Sequence, residues 1–190
     1  MRIEINPNSV DTPMEYVSRN YAPHVVAAGL AYSRATYEHS RLSLRVFEAA
    51  RTRVAQINGC QLCQNWRSAR DTAAYVESLG GSRDTIASRD HSAPDEAFYA
   101  AVADWRTAAL FDSRERVAIE YAERLCLEPQ ILAQDDLFWR RAHSAFSDGE
   151  IVDLSYCIAC WMGLGRVAHV LGIDDACQIP ALARTGRKAG

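Results

Sequence analysis

From Leu42 to Ile57 apolar side chains return at helical spacing, with Leu44, Phe47, Val54 and Ile57 marking the stripe. The stripe stops at Asn58-Gly59, two residues that tolerate a left-handed backbone. The pattern predicts a new helix from about Cys60 to Leu79, ended by Gly80-Gly81. Upstream, residues 1–13 read as extended or irregular. A first helix is expected from about Met14 to Ala28, broken by Pro23, with residues 30–38 as a second short helical piece. Ser82 is expected to cap a short helix through Ser88, and "HSAPDEAF", residues 91–98, to form a loop and a fresh start. Asp112 with Glu115, and Ser147 with Glu150, have capping-box spacing and open two further helices, the first running to about Leu125. After Pro129 a helix resumes near Asp135. The last helix, about Asp148 to Leu171, is apolar on most faces, which suits a core or a subunit contact. Residues 181–190 read as a frayed tail. No useful strand alternation appears, so the expectation is an all-α single domain over residues 1–190.

Composition narrows the function classes. The chain has 190 residues, 48% hydrophobic and 24% charged, enough to build a core without staples. A net charge of −3 without like-charge blocks gives no footprint for nucleic acid. The opening "MRIEINPNSVDTPMEY" lacks the apolar run of a signal peptide, and no stretch approaches 18 consecutive apolar residues. These features predict a soluble cytoplasmic protein with neither a nucleic-acid nor a membrane partner.

Six cysteines then become the question: Cys60, Cys63, Cys126, Cys157, Cys160 and Cys177. A structural disulfide framework is not expected in a cytosolic chain of this size. Two pairs have CxxC spacing, which fits redox chemistry, metal binding or plain packing. Cys157 and Cys160 lie in the apolar last helix and read as small hydrophobes, as do Cys126 and Cys177. A zinc site built from both pairs would have the ligand count without the usual turn context. No histidine pair has metal-ligand spacing, and no metal or cofactor is expected. Cys60 and Cys63 differ in context, because they follow the Asn58-Gly59 turn and would open a helix. Helix-start amides and a nearby guanidinium lower a thiol's pKa. Glu48 lies twelve residues before Cys60 on the preceding helix, and a tight turn would bring its carboxylate towards the thiols.

"FEAARTRVAQINGCQLC" resembles the signature of the alkylhydroperoxidase AhpD-like, or carboxymuconolactone decarboxylase, family. The resemblance continues through "HSRLSLRVFE" upstream, and through "LFDSRERVAIEYAERL" and "FSDGEIVDLSYCIACWMGLGRVAHVLGI" downstream, together about residues 15–175. It implies an AhpD-like helical domain and a homo-oligomer, trimer or hexamer. In redox-active members the second cysteine attacks a peroxide or disulfide, the first resolves it, and a Glu and a His relay protons. Carried over, Cys63 is the attacking thiol, Cys60 the resolving thiol and Glu48 the base. This sequence departs from the pattern at Arg67, where the family's His is expected, and at Leu62, where a second His is sometimes found.

Arginine stays protonated and cannot shuttle a proton, though it can stabilise a thiolate or bind an anionic group. It can also pair with Asp71 four residues on. His39 and His169 are candidates to stand in for the missing histidine. The resulting expectation is a thiol peroxidase or disulfide reductase acting on a small peroxide or other small substrate, with an external thiol reductant. Two alternatives stand beside it. One is a lyase or decarboxylase for a small carboxylated compound, with Arg67 as anion anchor. The other is a non-catalytic oligomeric family member.

Overall fold

A computed structural model describes residues 1–10 and 12–174; Cys177 and the expected tail at 181–190 lie outside them. Helix Leu44–Asn58 (α3) runs through the middle of the molecule. Its residues Leu44, Phe47, Ala50 and Val54 are fully buried. Against them pack Ser113–Leu127 (α8) on one side and Asp148–Leu171 (α11) on the other, through Ala118, Ala122, Leu154 and Ile158. Phe47 meets Trp161 edge-on at 4.7 Å, the arrangement the ring quadrupoles favour. A second cluster, around Phe98, Val102, Phe111 and Ile119, seals the other end of the α3–α8 contact. All the described secondary structure is helical.

Both expected capping boxes are present. Asp112 Oδ1 accepts from the Glu115 amide at 2.8 Å, and Glu115 Oε2 accepts from the Asp112 amide at 3.0 Å. Ser147 and Glu150 close the same reciprocal pair at the start of α11. After Pro129, a short turn of helix at Pro129–Leu132 precedes the resumed helix at Asp136–Ala145.

Three expected boundaries are corrected. The break expected at Pro23 is present, since one helix ends at Asn20 and Pro23 opens the next, Pro23–His39; it is this second helix that runs on past Ala28 and absorbs the separate piece expected at 30–38. Gly29 sits inside this second helix, where a Cβ would lie 3.3 Å from Leu164 Cδ2, so the glycine admits close packing on α11. Thr85, not Ser82, is the N-cap residue of Ile86–Arg89, and its amide donates to the Ser88 hydroxyl at 2.8 Å. The third correction bears on function. The helix expected from Cys60 to Leu79 is two helices, Gln61–Asn65 (α4) and Ser68–Ser78 (α5), separated by extended backbone at Trp66 and Arg67.

By length and composition alone α11 could cross a membrane. Here one face lies in the core, and Val152, Tyr156, Val167 and Val170 lie on the exposed face.

Candidate functional site

The Asn58-Gly59 turn holds the first CxxC against α11. Gly59 takes the left-handed conformation, φ 69°, that ends α3. Asn58 Nδ2 donates to the Trp161 carbonyl at 2.9 Å, and its Oδ1 accepts from Arg166 Nε at 3.0 Å. Cys60 is fully buried and caps α4, its Sγ accepting from the Cys63 amide at 3.2 Å. A disulfide joins Cys60 to Cys63, with Cα atoms 5.3 Å apart. Cys63 is half-buried and so the more accessible residue of the pair. On α11, a Cβ at Gly165 would stand 2.7 Å from Asn58 Nδ2 and 3.8 Å from Cys63 Sγ. A bare backbone therefore faces the Cys63 end of the disulfide.

Glu48 is buried, and its carboxylate is fully engaged. Oε1 accepts from Arg51 Nε at 2.6 Å and from the Ser68 hydroxyl at 2.7 Å. Oε2 accepts from Tyr99 at 2.6 Å, from the Ser68 amide at 3.2 Å and from Arg51 Nη2 at 3.3 Å. Burial pushes this carboxyl up, but the charge and hydrogen bonds of Arg51, with those of Tyr99 and Ser68, outweigh it and hold the pKa below the ordinary range. Burial and the neighbouring Glu48 charge raise the Tyr99 hydroxyl well above its usual value.

Arg51, also buried, extends the arrangement to the cysteines. Its Nη1 donates to the Cys63 carbonyl at 2.6 Å and its Nη2 to the Trp66 carbonyl at 2.9 Å. Those two carbonyls frame the break between α4 and α5. A continuous helix would spend the Cys63 carbonyl on an amide four residues on; here the guanidinium takes it. Arg67 Nη1 takes two neighbours, the carbonyls of Gln64 and Trp66, at 2.7 and 2.8 Å.

Arg67 therefore lies at the N-cap of α5 rather than one turn along the cysteine helix. Its guanidinium forms a two-pronged pair with Glu96 at 2.7 and 2.8 Å and stacks over Tyr99, 4.0 Å from the ring centroid. Only its backbone amide reaches Asp71, whose carboxylate instead pairs with Arg70 at 2.7 Å. An anionic substrate group would have to displace Glu96 and compete with two carbonyls for this guanidinium.

The two histidines part company. His39 is exposed beside Glu38 and opens onto a shallow cleft with Arg41, Ser82, Asp84 and Arg89, away from the cysteines. His169 lies four residues beyond Gly165 on α11, and its Nε2 would be 3.2 Å from a Cβ at Gly59. The structure thus sets His169 against the Gly59 turn that leads into Cys60, ties Glu48 to the backbone of Cys63 through Arg51, and leaves His39 elsewhere. The other described thiols, Cys126, Cys157 and Cys160, are buried and unpaired. Burial raises all three, Cys160 to about 11. Trp66 is core, packed between Tyr37 and Tyr75 at 5.5 and 5.3 Å.

Arg51, Ser68, Tyr99 and Asp174 escape a reading of the sequence. For Arg51 a signal exists: positions 44, 47, 51, 54 and 58 share one face, so Arg51 interrupts an otherwise core-facing row.

No known protein-family profile matches the chain. An uncharacterised Escherichia coli K12 protein, YnjA, is 28% identical over 130 residues, covering 67% of this chain. The chain spans 60% of that relative's length. A crystal structure from Agrobacterium tumefaciens superposes with a TM-score of 0.58 at 21% identity, covering 83% of this chain and 92% of that one. It is described as a protein of unknown function and a candidate antioxidant defence protein AhpD. The all-α architecture expected from the sequence is thus an AhpD-like fold.

Proposed function

We propose that this chain of AhpD-like fold is a thiol-dependent oxidoreductase, of peroxidase or disulfide-reductase type, cycling Cys60 and Cys63 between dithiol and disulfide. The observation that carries the reading is the contrast among its cysteines. One pair is bonded at a helix start, with Cys63 only half-buried, whereas the other described thiols are buried and held protonated by desolvation.

In the peroxidase cycle the Cys63 thiolate attacks a peroxide oxygen. The O–O bond breaks, leaving a sulfenic acid on Cys63 and an alkoxide or hydroxide that takes a proton. Cys60 then attacks the Cys63 sulfur; the S–O bond breaks, the disulfide forms and water leaves. An external dithiol, itself oxidised to a disulfide, returns two electrons and two protons. We place this cycle in the cytoplasm, where such reductants are maintained.

Glu48 has a different role from the expected base. Five hydrogen bonds and a depressed pKa make it a poor proton acceptor, and they support a positioning role. It holds Arg51, and Arg51 holds the backbone around Cys63. Arg67 similarly braces the α4–α5 break through Gln64 and Trp66.

The test is hydrogen peroxide consumption by full-length protein with dithiothreitol as reductant. Cys63→Ser is expected to abolish turnover, and Arg67→Ala to retain the reaction. Full peroxide consumption by Cys63→Ser would overturn the reading.

A further inference from the structure

The cycle just proposed moves a proton off Cys60 and onto a departing hydroxide, and Arg67 cannot carry it. We propose, resting on that reading, that His169 is the proton carrier and that buried Asp174 is the positioning residue that aims it at the cysteine turn.

The backbone brings the pair together. Helix α11 ends at Gly172, in the left-handed conformation at φ 69°. The Gly172 amide bonds the His169 carbonyl at 2.9 Å and the Ile173 amide bonds the Ala168 carbonyl at 2.8 Å. This stop turns the chain back, burying Ile173 and setting Asp174 beside the last turn of the helix. Asp174 Oδ2 lies 3.0 Å from His169 Nδ1 and accepts from the Gln61 amide at 3.2 Å. One carboxylate oxygen thus joins the histidine to the residue directly after Cys60.

The tautomer follows from the partner. A carboxylate accepts, so Nδ1 carries the hydrogen and Nε2 keeps its lone pair. Nε2 is the atom that faces the turn, 3.2 Å from where a Cβ of residue 59 would stand. Glycine at 59 therefore serves twice, adopting positive φ and leaving the ring its place. Gly165, one helical turn before His169, faces Cys63 Sγ. The imidazole and the position that meets Cys63 Sγ consequently share one face of α11. The His169 side chain is 45% exposed, enough to exchange protons with water, whereas Asp174 is fully buried. Its second oxygen, Oδ1, is buried without a hydrogen-bond partner among the described residues.

The step balances without a further reactant. As Cys60 attacks the Cys63 sulfenic acid, its proton passes to Nε2. The S–S bond forms, the S–O bond breaks, and the proton returns to the leaving hydroxide to make water. Among the described residues, the charged or titratable groups between the Gly59 turn and the end of α11 are Asp174, Cys60, Cys63, Arg166 one turn back and the Met1 amine. Arg166 is occupied by Asn58 and the Cys126 carbonyl. The Met1 amine packs on Gly172.

The experiment uses full-length reduced protein mixed with hydrogen peroxide, with sulfenic acid trapped by dimedone and disulfide formation followed separately. His169→Gln is expected to leave sulfenic acid formation unchanged, to slow disulfide formation by about 10²-fold, and to remove an ionisation limb from its pH profile. Asp174→Asn should slow the same step, and Asp174→Glu should restore part of it. Nitrogen-15 NMR of the reduced wild-type protein should show the Nδ1–H tautomer at His169, a readout that stands even where an Asp174 variant fails to fold. Wild-type rate and pH profile in His169→Gln, or an Nε2–H tautomer in the wild type, would overturn the proposal. The parent reading fails differently, through a wild type that forms no Cys63 sulfenic acid.

Discussion

Replacing Glu48 by glutamine separates a positioning carboxylate from a catalytic base. The substitution preserves shape but strips the charge from a site where the facing guanidinium has a side-chain exposure of 3%. Arg51 cannot lose its proton, so it is left as a buried cation. Breaking a buried pair from one side costs about 3–5 kcal/mol. A domain's whole stability is about 5–15 kcal/mol, so at least a fifth of it should disappear. Urea denaturation followed by circular dichroism reads this loss. Acid supplies an internal control. The folded state holds the Glu48 carboxyl below its ordinary pKa, so the unfolded chain binds that proton more readily. Its contribution is complete above the unfolded value, about 4.3, and drains as pH falls through the folded value. The wild type and the glutamine variant should therefore converge in stability on acidification. Adding Arg51→Met removes the orphaned cation but leaves the Cys63 and Trp66 carbonyls unpaired, at about 1–3 kcal/mol each. The double variant should recover only part of the loss. A glutamine variant within about 1 kcal/mol of wild type at neutral pH, defective only in turnover, would refute this reasoning and restore Glu48 as the base.

Other consequences are accessible to simple measurements. Iodoacetamide at pH 8 should label Cys63 only after reduction, and leave native Cys126, Cys157 and Cys160 unmodified; mass spectrometry distinguishes them. Gly165→Ala should destabilise the fold by about 1–3 kcal/mol, because the new methyl presses on Asn58, and a thermal melt should show it. Asp112→Ala should cost about 1 kcal/mol by loss of the cap on α8 without changing the peroxide reaction.

How much of this could be read in the chain depended on how far each determinant lies from what it determines. The boxes at Asp112 and Ser147 are four-residue devices and could be read directly. So could the turn at Gly59, whereas the spacing of Cys60 and Cys63 left several chemistries open until the family resemblance favoured a redox pair. The break at Trp66 could not. Nothing between Cys60 and Leu79 forbids a continuous helix, and the carbonyl partner that ends it comes from Arg51 on another element. The continuity of the second helix was hidden for a related reason, since Gly29 looks like a breaker until Leu164 is seen against it. Within the site, Cys60, Cys63 and His169 could be named as residues. Arg67 drew attention by its place in a pattern, yet its guanidinium serves Glu96 and the local backbone. Asp174 had no pattern to announce it, because its link to His169 depends on the reversal at Gly172.

The grip of Arg51 on the Cys63 and Trp66 carbonyls also limits where this motif can be moved. A peptide cut from residues 58–72 would keep both cysteines but lack the guanidinium that bends it, and where helical it would run straight through Trp66. Grafting CQLC and its flanks onto another helical scaffold would transfer the sulfurs and leave their geometry behind. The smallest transplantable unit is α3 together with α4 and the start of α5, because the side chain that shapes the loop comes from the helix before it.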